Sequence, residues 1–279
     1  MLRGDIRVAA IQMVSGPKVS ENLSVAASLL AEAAAGGAQW VVLPEYFPLL
    51  GASDAERLRV AETPGEGPLQ AWLSEQAQMH GFWLFGGSIP LQARDKGKVL
   101  NSCLVFDPQG KACARYDKIH LFAFEQGRER YCESDHIEAG PVLPQVLEIE
   151  RGRVGVSICY DLRFPELYRA MVKSGPPDLL VIPAAFTETT GRAHWEVLLR
   201  ARAIENQCYV LAAGQGGVHH GGRETHGHSL LIDPWGEVLA CQPKGAGVVH
   251  GVISADRLQQ IREGLPALEH HHLQELLCH

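Results

Sequence analysis

Three residues in this 279-residue chain have side chains and settings suited to bond-breaking chemistry: Glu45, Lys118 and Cys159. Cys159 ends the apolar run VGVSIC and precedes YDLRFPELYR, where Pro165 has the fixed φ of a first helical turn. A thiol on such a strand-to-helix turn stands above the sheet edge as a nucleophile, with backbone N–H groups just after it free to face an oxyanion. Glu45 ends WVVLPE, directly after an apolar strand, where a partly desolvated carboxylate could take a thiol proton as general base. Lys118, in RYDKIHLF, follows another strand and could hold its ammonium against developing negative charge. Taken singly, each also fits an ordinary role: a packed core thiol, a loop glutamate, a lysine paired with Asp117 on the surface. The three lie 73 and 41 positions apart, and no spacing rule brings them together.

The surrounding pattern supplies the frame. Residues 5–13 predict a buried strand, 22–35 an alanine-rich helix with Ser20 as N-cap and Gly36-Gly37 as its end, and 39–43 a second strand, making a β-α-β unit that delivers Glu45 at a strand's C-terminal end. A helix over 67–80, a strand over 82–88 and a hairpin over 100–116, turning at Asp107-Pro108-Gln109-Gly110, lead to Lys118. Residues 125–140 show neither helical nor strand periodicity and predict a long functional loop. The second half repeats the order: strand 154–159, helix 165–173, strand 179–184, helix 193–206, strand 209–213 and a hairpin over 228–240 turning at Asp233-Pro234-Trp235-Gly236. Two copies of one topology sharing a core, with no Ser/Gly/Pro-rich linker between them, predict one pseudo-symmetric α/β domain.

Composition excludes several classes. With 46% hydrophobic and 20% charged residues, the chain is an ordinary globular one. A net charge of -7 without a basic block gives no electrostatic reason for nucleic-acid or anionic-membrane binding. The start, MLRGDIRVAAIQM, is interrupted by Asp5 and Arg7 and fits neither a signal-peptide core nor a membrane span, so a cytoplasmic location is expected. Seven scattered cysteines without a C-x-x-C pair argue against a disulfide framework and a structural zinc site. The histidine run at 270–272 reads as a solvated tail, and no metal is assigned to it.

The segments VVLPEYF, RYDKIHLF and SICYDLRFPELYR resemble, in order, the three signature blocks of the nitrilase superfamily of carbon–nitrogen hydrolases. AAFTETTGRAHWEVLLRARAIENQCYV and GHSLLIDPWGEVLA extend the likeness from about residue 8 to residue 254. The resemblance implies an α-β-β-α sandwich with an internal pseudo-two-fold repeat over residues 1–265, a tail over 266–279, homodimers or higher homo-oligomers, and no cofactor or metal. It also implies roles: Glu45 as base, Cys159 as nucleophile, Lys118 as oxyanion partner, and a further catalytic glutamate, Glu133 in YCESD rather than Glu125. Tyr160, through its backbone N–H, together with Phe186, Thr187 and Arg163, is the expected substrate-binding set, with Arg192 and Arg223 as other candidates for a substrate carboxylate. The implied reaction hydrolyses a small carboxylate-bearing linear amide to a carboxylate and ammonia through a thioester. Within the superfamily ENQCYVLAAGQGGVHHGGRETHGHS looks most like the deaminated glutathione amidase (Nit) subgroup, with ω-amidase or N-carbamoyl hydrolase as alternatives. Tyr46 departs from the asparagine that relatives often carry after the glutamate. Competing readings are a papain-type hydrolase using His120 or His194, a nucleotide site at the glycine-rich stretch 214–222, and a non-catalytic binding protein on the same fold.

Overall fold

The computed structural model describes residues 2–51, 53–127 and 129–270; the histidine-rich tail beyond residue 270 lies outside the described residues. The first half contains β1 (Ile6–Gln12), α1 (Val19–Ala35), β2 (Trp40–Val42), α2 (Asp54–Arg59), α3 (Pro68–His80), β3 (Trp83–Phe85), β4 (Ile89–Gln92), β5 (Val99–Phe106) and β6 (Ala112–Asp117). A small hairpin, β7 (Ala123–Gln126) and β8 (Glu129–Cys132), leads into the second half: β9 (Gln145–Ile149), β10 (Gly152–Val156), α4 (Pro165–Lys173), β11 (Leu179–Ala184), α5 (Glu188–Asn206), β12 (Tyr209–Gly214), β13 (Ser229–Ile232) and β14 (Val238–Gln242). β15 (Gly247–Ile253) and α6 (Ala255–Gly264) close the chain.

Two sheets carry the repeat predicted from sequence. The first runs β15-β1-β2-β3-β5-β4 with β6 also on β5, and the second runs β14-β13-β12-β11-β10-β9. Each has three parallel strands at its centre, β1-β2-β3 and β10-β11-β12, flanked by an antiparallel strand on one side and a hairpin on the other. Parallel strands covered on both faces must be apolar throughout, and β2, β11 and β12 are buried at every position. Val8, Ala10, Val42 and Phe85 of the first sheet share one core with Val156, Ile182, Leu211 and Leu231 of the second. The opposite face of the first sheet packs Ile11, Val41 and Leu84 against Leu30 of α1 and Leu73 of α3, while Leu199 of α5 and Met171 of α4 cover the second. The layers are therefore α-β-β-α. None of the helices among the described residues is long and apolar enough to cross a membrane.

Several sequence expectations need correction. α1 begins at Val19 with Lys18 as N-cap, so Ser20 falls inside the first turn and caps nothing. Asn22 instead uses its buried amide to bind Gly16 and Pro48. The predicted loop over 125–140 overlaps the strand pair β7-β8, and β7, exposed at three of its four residues, gives no clean alternation. α5 starts at Glu188 rather than residue 193, because Thr187 is its N-cap and accepts from the Thr190 N–H.

Candidate active site

Strand ends bring the three dispersed residues to one end of the sandwich. β2 runs into Leu43-Pro44-Glu45, where the Leu43 N–H still pairs with Phe85 O, so the backbone is held in the sheet to within two residues of the carboxylate. Gly87, at φ +58, lets the neighbouring chain pass beneath: a Cβ there would lie 2.3 Å from Pro44 O. Lys118 follows β6, and its own N–H donates to Asn101 O on β5. Glu133 opens a single 3-10 turn immediately after β8. That position explains why Glu133 enters the site while Glu125, on the exposed β7, stays outside it.

The Lys118 ammonium is fully buried between two carboxylates. It lies 2.9 Å from Glu45 Oε1 and 2.9 and 2.7 Å from the two oxygens of Glu133. Burial alone would lower its pKa, but Glu133 and then Glu45 outweigh this and hold it well above the ordinary lysine value. Burial pushes the Glu133 carboxyl upward, yet the Lys118 charge, with donors from the Phe122 N–H (2.7 Å) and Tyr46 hydroxyl (2.8 Å), takes it below the usual range. Asn101 Nδ2 donates to Glu45 Oε1 at 2.9 Å, leaving Glu45 tied through one oxygen.

Cys159 sits at the first residue of a 3-10 turn (Cys159–Arg163) that passes into α4 at Pro165. Its φ of +50° is a left-handed conformation that a side chain adopts at some cost, and Tyr46, beside Glu45, has the same signature at +56°. Asp161 pins the elbow. Completely buried, it accepts from the Ile158 N–H (2.9 Å), the Tyr116 hydroxyl (2.7 Å) and the His120 N–H (3.0 Å), and it meets His120 Nδ1 at 2.7 Å. The segment after Lys118 is thereby fastened to the turn that carries Cys159.

Burial raises the Cys159 thiol well above its ordinary pKa, the Glu45 charge adds to the rise, and Lys118 opposes it. The core thiols Cys103 and Cys208 are pushed up to about 12 chiefly by burial. What separates Cys159 from them is company: the thiol lies within the field of a carboxylate that can accept its proton and an ammonium that can hold negative charge produced elsewhere.

A narrow slot opens at Cys159, walled by Phe122, Tyr160, Arg163, Phe186 and Thr187, and its volume of about 10 Å³ is close to the minimum for one water. The four residues expected from sequence to bind substrate, Tyr160, Arg163, Phe186 and Thr187, thus line one slot with Cys159. The Arg163 guanidinium lies 5.2 Å from the Phe186 ring centroid and 5.7 Å from that of Tyr160. Arg192 does not belong to this wall, since it reaches out to pair with Glu188. Arg223 lines a second, larger cavity of about 320 Å³ that shares Phe122 with the slot.

The rival arrangements are not built. His120 is committed to Asp161 and stacked on Phe164 with centroids 3.7 Å apart, while His194 meets Arg163 at 3.1 Å. In the glycine-rich stretch, Gln215 donates to Glu45 O and Ser15 Oγ, and buried His219 bonds Ser15 O and Thr225, so the segment braces the site from behind. Asn101 and Asp161 join the site without a chemical signal of their own in the sequence, and Tyr46 enters it through its bond to Glu133. Asp161 lies inside the SICYDLRF block, whereas Asn101 has no local signal beyond a polar residue in an apolar strand.

Residues 7–263 match the family model described as carbon-nitrogen hydrolase. A deaminated glutathione amidase of Synechocystis sp. (strain PCC 6803 / GT-S) is 43% identical over 265 residues, covering 94% of this chain and 96% of its own length. The crystal structure of the C. elegans NitFhit protein superposes with a TM-score of 0.88 at 37% identity over 98% of this chain and 66% of that one. Saccharomyces cerevisiae Nit3, a member of branch 10 of the nitrilase superfamily, superposes with a TM-score of 0.85 at 29% identity, covering 95% and 96% of the two chains. With an α-β-β-α sandwich and the Glu45, Lys118, Cys159 constellation at its strand ends, the chain belongs to the carbon–nitrogen hydrolase family and is a hydrolase of non-peptide carbon–nitrogen bonds.

Proposed function

We propose that this protein is a cysteine-dependent amidase acting on deaminated glutathione. The observation that supports the mechanism is the buried Glu45–Lys118–Glu133 cluster at the same sheet end as the Cys159 thiol on its left-handed elbow. Glu45 takes the Cys159 proton as the sulfur attacks the amide carbon, and the tetrahedral oxyanion is held by Lys118 and the backbone N–H of Tyr160. Glu45 then passes the proton to the departing nitrogen, leaving a thioester. Water activated by Glu45 attacks that thioester and releases the carboxylate. Glu133 keeps Lys118 charged and aimed. Phe186 and Thr187 wall the acyl group, and Arg163 meets its carboxylate.

Deaminated glutathione, with a keto group in place of the α-amino group, contains secondary amides, so the nitrogen leaves as an amine. Ammonia is the product only from a primary amide such as the short keto-acid amide of an ω-amidase. The substrate assignment draws support from the relative at 43% identity, which carries that activity in its name. We further propose that residues 1–265 act as one hydrolase domain, and that the chain works in the cytoplasm as a homodimer or higher homo-oligomer.

Incubation with deaminated glutathione and with α-ketoglutaramate, following keto-acid release and the acyl-enzyme mass, tests the reading. Preferred turnover of the former, abolished in Cys159→Ala, is the expected result. Turnover of α-ketoglutaramate alone would transfer the assignment to ω-amidases, and turnover retained in Cys159→Ala would overturn the mechanism.

A further inference from the structure

Asn101 is a polar residue on the buried face of an apolar strand. Along β5 the side chains alternate: Leu100, Leu104 and Phe106 pack with the helix layer, whereas Val99, Cys103 and Val105 join clusters shared with Ile182 of β11 and Ala185 just beyond it. Asn101 belongs to the latter face, only 1% exposed, at the sheet end that holds Glu45 and Lys118. A polar side chain buried there must account for each of its hydrogen-bonding atoms.

Its Nδ2 donates to Glu45 Oε1 at 2.9 Å, and the Lys118 ammonium donates to the same oxygen at 2.9 Å. A carboxylate oxygen offers two acceptor sites, and both on Oε1 are thereby filled. Among the described residues none donates to Glu45 Oε2, and Asn101 Oδ1 is buried without a hydrogen-bond partner. A bare carbonyl is costly at a position where a leucine of similar size would pack. A primary amide and a carboxylic acid are complementary along two edges, N–H to C=O and O–H to the amide oxygen. An ionised carboxylate makes only the first of these contacts, and a protonated one can make both.

Resting on the proposed amidase mechanism, we infer that Asn101 is a positioning residue that makes Glu45 work through Oε2. With Lys118 it occupies Oε1, and its Oδ1 accepts the O–H of Glu45 while that carboxyl carries the catalytic proton. As the Cys159 sulfur bonds to the amide carbon, the S–H proton passes to Oε2 and the carbonyl π pair moves onto oxygen. When the oxyanion collapses and the carbon–nitrogen bond breaks, nitrogen keeps the bonding pair and takes the proton from Oε2, and Oδ1 is bare again. Asn101 acts only through Glu45, touching neither substrate nor sulfur.

The test uses Asn101→Leu, which keeps the size and removes both hydrogen-bonding atoms, in the full-length protein alone and combined with Glu45→Gln. One readout needs no substrate: the rate at which iodoacetamide alkylates Cys159, followed on the Cys159 peptide by mass spectrometry. N101L is expected to slow this alkylation by about 10-fold, part of what a positioned general base supplies. It is also expected to lower kcat on deaminated glutathione by about 10- to 100-fold, with KM changed less than about threefold. Adding N101L to E45Q is expected to cost nothing further, because a residue that acts through Glu45 then has nothing to act on. Alkylation and kcat both within about twofold of wild type would overturn the inference. So would multiplying losses in the double variant, or a raised KM with kcat unchanged, which would place Asn101 on the substrate. If N101L does not fold, Asn101→Ser, too short to reach Glu45, carries the same comparison. Failure of wild type to turn over deaminated glutathione would remove the substrate assignment, while the alkylation rates of N101L, E45Q and the double variant would still decide the role of Asn101.

Discussion

The two halves of this molecule share a strand order yet contribute opposite kinds of chemistry. In the first half, strand ends carry charge inward: Glu45 after β2 and Lys118 after β6 are each about 1% exposed, and each is tolerated because it satisfies the other. In the second half, the chain leaving β10 carries a thiol on a left-handed elbow, walled by aromatic rings. A repeated scaffold can thus bring a buried ion pair and a thiol to one sheet end while each half solves its own burial problem. The first half depends on ion pairing and the second on packing and backbone geometry, so the two should fail differently.

Cys159→Ala should produce the largest loss of activity, on the order of 10⁴-fold or more in kcat, because no neighbouring group replaces the sulfur. Its melting temperature should hardly change, since a small side chain leaves the elbow's Asp161 bonds intact. Lys118→Met should break the first half on both counts. It leaves Glu45 and Glu133 buried without their shared cation, a loss of about 3–5 kcal/mol in denaturant titration, and removes an oxyanion donor worth about 10²–10³ in kcat. An unchanged stability in that variant would refute the account of the ion-pair cluster.

The pH dependence of stability sharpens the same contrast. Glu133 is held below its ordinary value of 4.5, so its ionised form stabilises the fold above that pH, and the contribution is lost as pH falls through the depressed native value. Lys118 is held above 10.5, so its contribution is complete below that pH and is lost as pH rises through the elevated native value. Glu133→Gln should flatten the acid limb of a stability-against-pH curve, where one such proton accounts for a slope of up to about 1.4 kcal/mol per pH unit. Tyr46→Phe should have the smallest effect, about 1–2 kcal/mol from one hydrogen bond to a charged group, seen as a slightly weaker acid resistance.

Much of this organisation was legible in the chain itself. The apolar runs that became β1, β2, β10, β11 and β12 are central, doubly covered strands whose composition needs no partner to be recognised. The hairpin β7-β8 was not legible, because three of the four residues of β7 are exposed and it carries no alternating apolar face. Glu45, Lys118 and Cys159 each sat at a readable strand end, but their meeting is a property of two sheets folding together and required the family resemblance. Asn101 and Asp161 escaped notice because their importance lies in which atoms they hold in place.

The strand β15 has a consequence for how the chain is made. It pairs with β1 over Ile6–Gln12, although Gln12 and its partner Gly247 lie 235 positions apart in the chain. On the ribosome, β1 therefore waits with an open edge until β15 has been synthesised, and contacts so distant in sequence form slowly. Nascent chains stalled before Gly247 should remain sensitive to protease and prone to edge pairing, and acquire resistance only once β15 has emerged.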